Sequence, residues 1–152
     1  MLLAALALVT LSLGAGVTSA NSGKPHVVAE NTFTKWITAT PNLPGEVKDM
    51  GGIVGGDVGD GTFTGTVLGA TPITGGLALK AIYGFNGSAH SFKALMHIDQ
   101  VDASAVLIGV ITEGWYQGHL VEGHYVMGTC THGDVTGTCF AGTLDIMQAF
   151  KP

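Results

Sequence analysis

The stretch Gly61-Thr62-Phe63-Thr64-Gly65-Thr66-Val67-Leu68 alternates cleanly: Phe63, Gly65 and Val67 on one side, Thr62, Thr64 and Thr66 on the other. Side chains of an extended chain point alternately to opposite faces, so this pattern predicts a strand with one buried and one solvated face. Residues 90–98 repeat it: Phe92, Ala94, Met96 and Ile98 share a side, while Ser91 and Lys93 face away. Further strand candidates cover residues 32–40, 47–58, 77–85, 103–112, 115–127 and 136–147, separated by Gly, Pro, Asn or Asp clusters. Helical periodicity is nearly absent. Two turns carry a mechanism, Asn86-Gly87 with a type I′ signal and Glu113-Gly114 with a glycine free to take positive φ. An echo, Phe63-Thr64-Gly65-Thr66 and Phe140-Ala141-Gly142-Thr143, puts a glycine two residues after an aromatic, as where a strand bends tightly. About eight antiparallel strands with glycine kinks predict a small closed β-barrel. A β-sandwich is the alternative, because alternation does not show closure.

The strands occupy a chain of 152 residues, the size of a single domain. Its first twenty residues, MLLAALALVTLSLGAGVTSA, run apolar and close on the small residues Thr18-Ser19-Ala20. That is the pattern of a cleaved signal peptide, although no Lys or Arg precedes the apolar run. The expected division is a signal peptide over 1–20 and a barrel over 21–152, secreted or otherwise extracytoplasmic. In such a compartment Cys130 and Cys139 are expected to form a disulfide across a hairpin centred on Asp134-Val135, the sulfurs opposite one another. Asn86-Gly87-Ser88 is a glycosylation sequon only where the source cell glycosylates.

The charge balance narrows the partners. Six lysines against eleven acids give a net charge of −5, and the chain contains no arginine. It therefore lacks the basic patch of a nucleic-acid-binding protein and the guanidinium fork for phosphate. A membrane-inserted barrel is not expected, because two Trp and three Tyr are too few for interfacial girdles and Phe150 is followed by Lys151-Pro152.

The glycine-rich run at residues 51–61 is neither a phosphate loop nor a calcium nonapeptide, lacking Gly-Lys-Ser/Thr and carrying Val58 at a required glycine position. Asp57 and Asp60 alone are too few for calcium. The six histidines, His26, His90, His97, His119, His124 and His132, show no metal-ligand pairing, and no metal or cofactor is expected. Glu122 and His124, two apart on a strand, share a face and could move a proton, with His119 as a further catalytic candidate. If the row Trp115, Gln117, His119, Val121, Tyr125 faces inward, it lines an apolar cavity with a few polar groups, joined by Tyr83 and His90 from neighbouring strands. No serine or cysteine nucleophile has a recognisable context.

Residues 109–125, Cys130 and the run Cys139-Phe140-Ala141-Gly142-Thr143-Leu144-Asp145-Ile146 resemble exported bacterial β-barrel proteins to which no activity is attached. With Gly56-Asp57-Val58 and Phe63-Thr64-Gly65, the layout also resembles the allene oxide cyclase and dirigent class of eight-stranded barrels. That resemblance implies a barrel, but no catalytic residue of those families maps onto a position here, and fold analogy licenses no reaction. Two functions are expected in competition. One is a non-enzymatic binding or structural module, holding a small apolar molecule; the other is a cofactor-free isomerase or cyclase working inside the barrel.

Overall fold

A computed structural model describes residues 26–39 and 49–148. The expected signal peptide and the terminal Phe150-Lys151-Pro152 lie outside the described residues. The chain forms eight antiparallel strands: β1 Val27–Ala39, β2 Asp49–Gly56, β3 Gly61–Ile73, β4 Gly76–Gly87, β5 Ser91–Val101, β6 Ser104–Gly114, β7 Leu120–His132 and β8 Val135–Met147. Each pairs with the next, and β1 also pairs with β8, with Phe33 opposite Gly142, so the sheet closes into a barrel. Closure leaves no sheet edge to pair with another chain. Every strand candidate from the sequence overlaps a strand.

Alternation decides what faces the axis. Phe63 on β3, Tyr83 and Phe85 on β4, Phe92, Ala94, Met96 and Ile98 on β5, and Leu107 and Ile111 on β6 are all buried. Their neighbours Thr62, Thr64, Lys80, Lys93, His97 and Asp99 are exposed on the outer wall. Both glycines of the echo face inward and are required there. A Cβ on Gly65 would lie 2.9 Å from the Phe63 ring, and one on Gly142 2.8 Å from the Tyr125 Cα. The missing side chains let the sheet curve around its aromatic filling.

The two ends of the barrel are built differently. At one end the connections among the described residues are two residues long, Thr74-Gly75, Asp102-Ala103 and Gly133-Asp134; the link between β1 and β2 at that end, residues 40–48, lies outside the described residues. At the other they are longer, spanning residues 57–60, 88–90 and 115–119. There the chain plugs the lumen with Val58, which is 0% exposed. Its carbonyl accepts from the backbone N–H groups of Ala89 and His90, and its own N–H donates to Asn31 Oδ1 at 3.1 Å. The Asn31 amide nitrogen donates to the Leu144 carbonyl of β8 at 3.2 Å, so this buried side chain ties the plug to the wall. Gly87 makes room for it, since a Cβ there would stand 2.1 Å from the Val58 carbonyl.

Three local expectations are corrected. The predicted strand over 115–127 begins only at Leu120, because Gly114, Tyr116 and Gly118 all have positive φ and break the pleat. Glu113-Gly114 therefore ends β6 and opens a five-residue connection. Asn86-Gly87 closes β4 rather than forming the centre of its turn, which is Ser88-Ala89-His90, with Gly87 N–H bonded to the His90 carbonyl. In the β7–β8 hairpin the turn is Gly133-Asp134 with His132 opposite Val135. Cys139 then faces Gly128, and Cys130 faces Gly137. The cysteines are diagonal rather than opposite, yet within disulfide distance at 5.9 Å between Cα atoms.

Candidate functional site

On β1 the inward row runs Ala29, Asn31, Phe33, Lys35, Ile37, which carries one lysine into the interior. Lys35 is 2% exposed. Its Nζ is hydrogen-bonded to the Tyr83 hydroxyl and lies 4.3 Å from the ring centroids of both Tyr83 and Tyr125. Phe33, Phe63 and Phe140 stand slightly farther out, between 5.5 and 5.9 Å. Among the described residues no carboxylate lies within ion-pairing distance of it; the pairs found are Lys93–Glu113 and His97–Asp99, both on the outer wall.

That environment sets the charge of the amine. Ring faces favour an ammonium, each by about a kilocalorie or two when water is excluded. Removing an ammonium from water without a counterion costs more. Burial wins and pulls the Lys35 pKa from 10.5 down to about 7. Burial also pushes the Tyr83 phenol well above its ordinary value, helped by Tyr125, and raises Tyr125 to about 12. Neither phenol can serve as an anionic partner. The interior thus holds a lysine that is substantially neutral near pH 7, beside two phenols that keep their protons.

Lys35 lies at the floor of a cavity of about 210 Å³. The wall is mostly apolar, formed by Ile37, Met50, Val67, Leu77, Leu79, Ile98 and Phe140, with Ala70 towards the short-turn end of the barrel. Its polar groups are few: Lys35, Tyr83, Tyr125 and Gln100, the Tyr125 hydroxyl donating to Gln100 Oε1 at 2.7 Å. Towards the plugged end the lumen is filled, Phe33, Phe63 and Phe85 packing with centroids 5.6 to 5.9 Å apart and Phe92 stacked on Phe85 at 4.7 Å.

The candidates named from the sequence separate into three places. Tyr83 and Tyr125 face the cavity. His90, Trp115, Gln117 and His119 gather on the long connections at the plugged end, where the His90 ring stacks on Trp115 at 4.0 Å. His119 Nδ1 lies 2.8 Å from the Met147 carbonyl, and Gln117 is exposed. Glu122 and His124 do share a face, but it is the outer wall of β7, and both are exposed. Cys130 and Cys139 also stand on the outward face, although Cys139 is buried there, near Trp36, whose indole stacks on His132 at 4.1 Å. Among the described residues no group of three His, Cys, Asp or Glu side chains is placed to hold a metal ion.

Lys35 is absent from the residues named from the sequence, although a signal for it exists. It stands between Phe33 and Ile37 in the apolar row of its strand, whereas Lys93 stands between Phe92 and Ala94 in the polar one. Compared with known proteins, the chain matches no family model, no curated protein and no solved structure.

Proposed function

We propose that the barrel is a binding protein for a small, mainly apolar molecule, which enters at the short-turn end and rests with its polar group at Lys35. One observation carries this reading: a lysine with no acid partner among the described residues, at the floor of a mostly apolar cavity. A fully apolar residue there would fold more stably, so the amine is a liability to the fold unless something uses it. Pockets for small molecules have this composition, apolar walls with a few convergent polar groups. A cavity of 150 Å³ holds benzene, so 210 Å³ suits a ligand of roughly ten non-hydrogen atoms. The apolar filling supports a barrel that works in water, since membrane barrels have polar interiors. The disulfide-distance cysteines, with the leader-like start of the chain, support a place outside the cytoplasm. A barrel isomerase would have to take its proton-transfer group from the interior, because Glu122 and His124 face away from the cavity.

Isothermal titration calorimetry with linear alcohols and carboxylates of about six to ten carbons tests the reading. One-to-one binding is expected, and Ala70→Phe, which fills the mouth, should abolish it. The reading fails if none of these compounds gives heat or raises the unfolding temperature.

A further inference from the structure

Lys35 is more than a polar anchor. Among the described residues its amine has no acid to hold it as an ammonium, and the Tyr83 hydroxyl is in hydrogen-bonding contact. The cavity brings a ligand to that nitrogen through an apolar channel, so the group that arrives must survive the loss of its water. A carboxylate would lose most by that transfer and find a single cation, itself half neutral near pH 7. A carbonyl loses little, and meets a nucleophile and a hydroxyl donor together.

We propose that Lys35 captures a small apolar aldehyde as a reversible imine within the barrel. This rests on the binding reading above and names the ligand class for the same cavity. The Nζ lone pair attacks the carbonyl carbon, the C=O π bond breaks, and a carbinolamine forms. The carbon–oxygen bond then breaks. Both hydrogens of the amine end in one water with the carbonyl oxygen, the Tyr83 hydroxyl relaying one of them: it hands its proton to the departing oxygen and takes one from the nitrogen. A C=N bond remains, and the return of water reverses every step. No oxidant or reductant enters. Lys80 and Lys93 are exposed on the outer wall, beside open surface clefts rather than in the lumen, so among the described lysines the reaction is selective for Lys35.

The experiment uses the full-length protein, hexanal and cyanoborohydride at neutral pH, followed by digestion and mass mapping of each lysine. Hexan-1-ol, which fills the cavity without condensing, is the competitor. Lys35 should become alkylated at least about tenfold faster than Lys80 or Lys93, because ordinary lysines are almost wholly protonated at pH 7. The chain's terminal amine, which also reacts at this pH, is read on its own peptide. Hexan-1-ol should protect Lys35 alone, and Lys35→Met should leave the slow alkylation of Lys80 and Lys93 unchanged. Alkylation of Lys80 and Lys93 as fast as Lys35, in protein that binds hexan-1-ol, overturns the imine and leaves the binding reading intact. Tight binding of hexanoate with Lys35 unreactive to hexanal overturns it in favour of a carboxylate site. Absence of binding by alcohol, carboxylate and aldehyde alike overturns both readings.

Discussion

At the scale of single residues, Lys35 governs how stability depends on pH. Its pKa falls from 10.5 free to about 7 when folded, so between those values the unfolded chain holds a proton that the folded one lacks. Unfolding free energy therefore rises with pH across that window, by on the order of 5 kcal/mol in full, and the whole penalty stands below pH 7. Tyr83 and Tyr125, facing Lys35 from β4 and β7, act in the opposite sense. Their raised pKa values keep protons on the folded state that the unfolded state gives up, so above about pH 10 they lower stability. Between them, these three groups place the stability maximum near pH 10. Urea unfolding at several pH values checks this: the midpoint should climb from pH 7 towards 10 in the native protein. Lys35→Met should be more stable at pH 7 and lose most of the climb; an equal climb in the variant would assign it to other groups. The residue was legible in principle, through its place in the row of Phe33 and Ile37. Lysines are rarely buried, and that general expectation hides the exception.

Among elements, the β7–β8 hairpin shows what sequence patterns resolve and where they stop. Both strands were legible from alternation and their β-branched residues, and so was the pairing of Cys130 with Cys139. The register was not. Placing the sulfurs directly opposite moves the turn to Asp134-Val135, whereas Gly133 takes φ +58 and the turn sits at Gly133-Asp134. Cysteines on diagonal positions satisfy the same distance, so cysteine spacing alone does not determine register. The connection after β6 escaped for a related reason. Tyr116 holds φ +56 without being glycine, a conformation that alternation rules do not foresee. Closing so short a loop is worth about 2.5–3 kcal/mol in the chain-entropy picture. Both thiols should therefore resist labelling until the protein is reduced, and reduction should lower stability by about that amount. The barrel should stay folded, since the pair lies on the outer wall, away from the aromatic filling. Thiol labelling before reduction would remove the disulfide; collapse of the near-ultraviolet spectrum on reduction would show that the hairpin holds the core.

On the scale of the whole molecule, the barrel divides its labour between its ends. The closed end spends long connections, the Asn31 amide and Val58 on plugging the lumen, and its aromatic and histidine residues decorate that plug. The other end has, among its described connections, two-residue turns, and it carries the mouth of the cavity. Connection lengths could be read from the sequence, but which end opens depends on which residues fold into the lumen, a contact between β1, β4 and the 57–60 connection that no local pattern reveals. For that reason His90, Trp115, Gln117 and His119, grouped with Tyr83 and Tyr125 from the sequence, stand at the opposite end from the cavity those tyrosines line. If the ends are separate in function, substitutions at each should separate stability from binding. Val58→Ala removes a side chain that is 0% exposed and should lower stability by about 2–3 kcal/mol. A ligand at a hundred times its dissociation constant should still add about 2.7 kcal/mol to that variant, as to the native protein. Ala70→Phe, at the exposed mouth, should leave ligand-free stability nearly unchanged and erase the increment. Distant, independent sites add, so the double variant should show both effects undiminished. A loss of the ligand increment in Val58→Ala would mean that the plug and the cavity behave as one unit, with the closed end helping to shape the site.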